Sequence, residues 1–442
     1  MNISLDSSSQ RLALVGVAVG LAALFCYQGV KLALASHRVL SGDLPKIESA
    51  VALEPGNAEY RDLLGRYLQF QLDQPDLEAA ASSFSSATKL SPRTARYWMD
   101  LAVARENLGQ IDEAQACFVR ALAAYPQSAQ VHWEYGNFLL REQNIDEALN
   151  QIRGAVASDP QLTYIAITRV WRATENPARV LSVLPRRSAA LIQAVNFFSD
   201  NHSLSSGLEI WNELIALKQP FDLSDTFQFF DELIKEGRSG DAERAWLQAL
   251  AACNQPHQAP ADGSVIWNGG FEQDIENGGL GWRVQPASGM SMDYDESIYH
   301  SGARSLRLDF EGGSNVDLAQ PLEIVPVQPD HSYHFRGFIR TENITTESGL
   351  RIYILDPQRQ NAVLLATDNL VGTHPWTEVT GDVHSSTNTN FLVVQVRRTP
   401  SRLFENKLAG SAWIDDLSLV PANSEPPVKS GSSRPNSPSK GM

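Results

Sequence analysis

At 442 residues the chain is long enough for two or three domains, each with its own core. It is 43% hydrophobic and 20% charged, the balance of a folded chain. A formal net charge of −15 repels phosphate over most of the surface, so nucleic acid is excluded as an expected partner.

The chain opens on a short tail, residues 1–11, and an apolar segment, residues 12–35. Between Leu12 and Val30 only Gln28 is strongly polar, and the run is long enough to cross a bilayer once as a helix. A cleavable signal peptide is the rival reading, and Ala33 and Ala35 supply a small-x-small site for it. A retained anchor is expected because the helical pattern continues from Leu32 to Val39 without a break. Leu24 and Phe25 precede Cys26 where a lipoprotein signal wants small residues. Lys31, Arg38 and Lys46 outnumber Arg11, which by charge alone holds the bulk of the chain inside; the ten-residue tail favours the opposite orientation.

An α-solenoid is expected over residues 40–253, clear over 58–162 and degenerate beyond. Pro92, Pro126 and Pro160 are spaced by 34 residues, as are Ala114 and Ala148, Phe118 and Ile152, and Ala121 and Ala155. Ala80, Phe84 and Ala87 hold the same places before Pro92. Small residues at these places let two antiparallel helices approach, a larger apolar residue fills the gap, and proline ends the second helix. In residues 95–128, Trp98, Leu101 and Ala102 open the first helix and Gly109 makes the turn. Cys117 falls on the apolar face of the second helix and reads as a small buried hydrophobe. The three cysteines make no metal-ligand spacing. The pattern closely resembles the tetratricopeptide repeat. Ile47, Ala50 and Pro55 read as half a repeat before it. Gly207, Trp211 and Leu214, then Ala242, Trp246 and Ala249, read as degenerate units after it, with residues 163–188 a divergent helical pair. The resemblance implies a groove for protein partners lined by first helices, with Tyr67, Arg105 and Arg141 as candidate contacts.

Residues 254–264 read as a linker rich in proline and small polar residues. From 265 to 421 the helical period gives way to short alternating runs such as LRIYIL and FLVVQVRR, predicting an all-β jelly-roll sandwich. Asn268-Gly269-Gly270-Phe271-Glu272, Gly281-Trp282, residues 301–306 and Trp413-Ile414-Asp415-Asp416-Leu417 follow one another in a family order. They resemble the calcium-containing carbohydrate-binding modules of families four, nine and twenty-two, within the galactose-binding-like fold. The resemblance implies a structural Ca²⁺ held by the Glu272 and Asp415 carboxylates and the Gly270, Ser301 and Arg304 carbonyls, a donor set of hard oxygens. It also implies a glycan ligand. Arg351, Tyr353, Gln395 and Arg397 project from one face of two strands as a candidate polar cleft, while Trp282, Trp376 and Trp413 read as core. A protein contact is the equal alternative for this face.

Residues 422–442 read as a disordered tail. No nucleophile motif or phosphate loop is present, and Asp415 and Asp416, adjacent on a strand, are expected to point to opposite faces. The expectation is a non-enzymatic, single-pass inner-membrane protein, mostly periplasmic, that binds protein and polysaccharide. The order of its parts is similar to that of repeat proteins serving exopolysaccharide or O-antigen assembly.

Overall fold

The computed structural model describes residues 8–40, 42–71, 73–253, 263–285 and 287–422. The expected tail at 422–442 falls outside them from residue 423 on, as do residues 1–7 and all of the expected linker up to residue 262. The described residues pack as two compact units, residues 1–185 and 186–442.

The first unit starts with α1 (Ser8–Leu40), long and apolar enough to cross a membrane. Nine helices follow: α2 (Leu44–Leu53), α3 (Ala58–Phe70), α4 (Leu77–Leu90), α5 (Ala95–Asn107), α6 (Ile111–Ala124), α7 (Ala129–Arg141), α8 (Ile145–Ser158), α9 (Thr163–Thr174) and α10 (Pro177–Val183). They pair as α3 with α4, α5 with α6 and α7 with α8. The pairing explains the small residues of the period. A Cβ at Gly65 would lie 2.6 Å from the Phe84 ring, and one at Gly136 would lie 2.9 Å from Ile152. Only glycine admits the facing helix at that distance. Gly109 makes its turn at φ +72, a conformation costly for other residues.

The second unit combines four helices, α11 (Ser188–Asp200), α12 (Leu204–Ala216), α13 (Phe227–Lys235) and α14 (Ser239–Ala252), with nine strands. These are β1 (Met290–Asp295), β2 (Ser305–Glu311), β3 (Leu322–Pro326), β4 (Ser332–Ile344), β5 (Arg351–Asp356), β6 (Ala362–Ala366), β7 (Gly372–His384), β8 (Phe391–Arg397) and β9 (Ala409–Pro421). All pairings are antiparallel, in a five-stranded sheet β1-β2-β9-β4-β7 and a four-stranded sheet β3-β8-β5-β6. One core joins both inner faces, with Phe335, Ile339 and Ile414 from the first sheet and Ile352, Val394 and Val396 from the second. Composition changes after Cys253, but packing divides the chain between 185 and 186. The helices after that point lie against the sandwich: Arg283 is 2.6 Å from Asp231, and Gly281 sits beside the Trp246 ring.

Candidate functional site

In the repeats, the first helices of successive pairs stand side by side and are tied by ion pairs. Arg66 on α3 donates to Asp100 on α5 at 2.9 and 2.7 Å. Asp62 lies 3.3 Å from Arg66 and 3.2 Å from Arg96. One repeat on, Arg141 on α7 grips Glu106 on α5 with two bonds of 2.6 and 2.9 Å. Asp62 is only 2% exposed, and burial, then the charge of Asp100, pushes its carboxyl up against the pull of both arginines. Tyr67 lines the start of this face. With Val39, Ile47, Leu63 and Phe70 it walls a cavity of about 610 Å³, and Arg66 and Asp100 stand at its edge. Arg105 instead bonds the Gln110 side chain at the α5–α6 turn. Of the three expected groove residues, Tyr67 and Arg141 lie on this face; the sequence reading did not single out Asp62, Arg66, Arg96, Asp100 and Glu106. The available signal was opposite charges one repeat apart: Arg66 and Asp100 are 34 positions apart, Glu106 and Arg141 35.

In the sandwich, a register shift between Arg336 and Phe338 breaks the β4–β9 ladder beside Asp415, and Asp416 adopts φ +50. This bulge overturns the expectation that the two acids diverge. Asp415 accepts the N–H groups of His300 (2.7 Å) and Ser301 (3.2 Å), while Asp416 meets the His300 ring (2.6 Å) and the Ser301 hydroxyl (2.7 Å). Glu272 closes on the same loop by accepting the Ala303 N–H at 2.9 Å. A Cβ on Gly270 would lie 3.6 Å from an oxygen of each aspartate. Gly270, Glu272, Ser301, Arg304 and Asp415 therefore meet in one place. The Arg304 guanidinium turns away, to Asp274 (2.9 Å) and the Phe271 carbonyl (2.7 Å). Asp415 is fully buried, and its carboxyl is pushed up to about 6, chiefly by burial and then by Asp416. A buried acid beside a second carboxylate, with Glu272 on the same loop, is a donor set of the hard-oxygen kind that suits Ca²⁺. The three carboxylates do not all come within 4.8 Å of one another. Among the described residues, His202, Glu232 and Glu236 place ligand atoms within 4.8 Å of one another, but Lys235 already lies 3.0 Å from Glu232.

The four cleft candidates share one face: Arg351 stands opposite Arg397 and Tyr353 opposite Gln395. Gln395 is 8% exposed, and Arg397 is taken up by Asp317 and the carbonyls of Leu318 (2.7 Å) and Arg398 (2.9 Å). Arg351, Tyr353 and Arg397 are half-buried there, and Arg397 is already engaged. The outer face of the five-stranded sheet is richer in aromatic groups. Trp282 is core, as expected. Trp413 instead lies between the outward Arg307 and Arg340, whose guanidinium carbons are 5.4 and 5.5 Å from its ring. Trp376 is half-buried beside His300, which stacks on Phe338 at 3.6 Å. Trp413 is only 2% exposed, buried as expected, but it is covered on the outer side of the sheet by those arginines, whereas Trp376 stays half-buried outside the core.

Residues 104–162 match the tetratricopeptide repeat family. No curated protein matches the chain. Among solved structures the chain is similar to YrrB, a TPR protein with an unusual peptide-binding site, at 17% identity over 39% of this chain and 91% of that one, with a TM-score of 0.27. It is similar to MamA AMB-1 at 26% identity over 30% and 72%, with a TM-score of 0.26. It is also similar to a family-four carbohydrate-binding module (CBM4) at 13% identity over 35% and 99%, with a TM-score of 0.27. The chain thus carries tetratricopeptide repeats, an architecture that presents binding surfaces. No catalytic family is indicated.

Proposed function

We propose that this chain is a non-catalytic scaffold of the bacterial envelope, held in the inner membrane by α1 with its bulk outside the cytoplasm. Its repeats hold a protein partner, and its sandwich, tied by Ca²⁺ at Glu272 and Asp415, contacts cell-surface polysaccharide of the kind handled by exopolysaccharide or O-antigen assembly. The observation that carries the scaffold reading is the cavity at Tyr67 and Phe70. Its apolar walls suit a hydrophobic side chain of an extended partner, and the ion-paired ladder beside it suits that partner's polar backbone. Phe70 is 63% exposed, an unusual cost for a phenylalanine with nothing to cover it. Retention of the anchor is supported by the far end of α1: Ala35 is wholly buried, Ser36 bonds the Tyr60 hydroxyl at 3.0 Å, and Arg38 bonds Ser49. Cleavage after Ala35 would remove that buried residue and leave Ser36 and Arg38 at a new chain end, without the helix that positions them. A glycan contact is supported by the outward aromatic and cationic groups Trp376, Phe338, Arg336 and Arg340.

The test compares proteins recovered from native membranes with the wild-type chain, with Tyr67→Ala/Phe70→Ala, and with Val119→Ala on a second helix as control. Loss of specific partners in the double variant alone is expected. Equal recovery by all three would remove the groove from the account.

A further inference from the structure

We infer that the edge of the solenoid formed by the turns from second to first helices lies on the bilayer and binds anionic phospholipid headgroups. This rests on the reading of α1 as a retained membrane span. Arg11 and Lys31 bracket nineteen uncharged residues of α1 (12–30), about the hydrocarbon thickness. The nine residues from Leu32 to Leu40 then project outward by about 13 Å. The ten-residue α2 packs on this projection and runs back along it for about 15 Å, which returns Glu54 to the level of Lys31. Helix α3 runs outward, α4 returns, and the alternation repeats. Each turn from a second to a first helix therefore faces the bilayer, and each turn within a pair faces away.

The charges divide in the same sense. Turns facing away carry Asp76, Glu78, Asp112, Glu113, Asp146 and Glu147, and the arginines there, Arg105 and Arg141, are held by Gln110 and Glu106. Acids at helix N-termini are ordinary, because they complement the helix dipole. That rule applies equally to first helices, yet α5 and α7 have no acid in their first turns. Around those starts stand the exposed cations Lys89, Arg93 and Arg120, with Leu90 (44% exposed) and Tyr125 (57% exposed) among them. Glu54 and Glu59 make the first turn acidic, so the contact is centred on the second and third turns. Basic side chains beside an exposed tyrosine and leucine match the chemistry of an anionic membrane surface.

The experiment uses the full chain in vesicles of phosphatidylcholine with 30% phosphatidylglycerol and in vesicles of phosphatidylcholine alone. A benzophenone amino acid is placed at Leu90 or Tyr125, or at Asn144 on the far edge, and lipid adducts are read by mass spectrometry. Adducts at positions 90 and 125 at least about tenfold above position 144, dependent on phosphatidylglycerol, are expected. The variant Lys89→Glu/Arg93→Glu/Arg120→Glu should still float with vesicles but lose those adducts. Flotation that resists carbonate, without adducts at 90 and 125, would overturn the surface and leave the anchor standing. Failure of the wild type to float would overturn both. Adducts that persist in the triple variant would overturn the role of charge.

Discussion

Glu323 is the residue whose environment the sequence hides most completely. It faces inward on β3, is fully buried, and accepts one bond of 2.7 Å from the Trp267 N–H; its other oxygen has no partner among the described residues. Burial pushes its carboxyl well above the usual range. The folded state therefore keeps a proton that the unfolded chain releases, and stability falls as pH rises from the ordinary carboxylate range toward the raised value. Glu323→Gln keeps the shape and a bond acceptor but removes the titration. Denaturant midpoints at pH 5 and pH 8 should differ less in the variant than in wild type, and an equal difference would assign the alkaline loss elsewhere. Nothing in the run Leu322-Glu323-Ile324 distinguishes this acid from a surface one, because alternation names two faces without saying which is covered. The same limit hid the bulge at Asp416, since a positive φ on an aspartate leaves no mark in composition.

At the scale of elements the reading was far more complete. A 34-residue period makes each unit testify for the next, so the helix pairs, their turns and their close contacts were legible before any coordinates. The glycine at the contact of α3 and α4 gives the sharpest check. Gly65→Ala forces a methyl into the Phe84 ring and should cost about 1–3 kcal/mol, although alanine is the better helix former. Unchanged or higher thermal stability would mean that the two helices are less tightly apposed than 2.6 Å implies. What the repeated small and apolar residues did not show is the ladder of charges between neighbouring first helices, whose signal was a pairing of opposite charges 34 and 35 positions apart. Trp376 was misjudged for a related reason: bulk suggests a core, yet it is half-buried beside His300 on the outer face, while Trp413 is buried as expected.

For the whole molecule, the resemblance to carbohydrate modules located the candidate cation site, because its residues recur in a fixed order along the domain. It said nothing about the packing of helices α11–α14 against that domain, which depends on contacts such as that of Asp231 with Arg283, 52 positions apart. The cation site should act on the second unit as a staple between its first segment and β9. Calcium at a hundredfold excess over its dissociation constant would add about 2.7 kcal/mol to the stability of that unit. Thermal unfolding with calcium and with chelator should therefore separate in wild type and converge in Asp415→Asn. Coincident curves in wild type would leave Glu272 and Asp415 as hydrogen-bond acceptors for the 300–304 loop and nothing more.

Because the last turns of α1 are also the first packing surface of the repeats, α1 would work as a ruler if it is the retained span proposed above. A helix rises 1.5 Å and turns 100° per residue. One residue inserted between Lys31 and Ala35 would change both the height of the array above the lipid and the compass direction in which its groove opens. A flexible tether would absorb such an insertion unnoticed. On that proposal reach and heading would be written into the length of a nine-residue stub, and changes in the stub would be felt by any partner held in the groove.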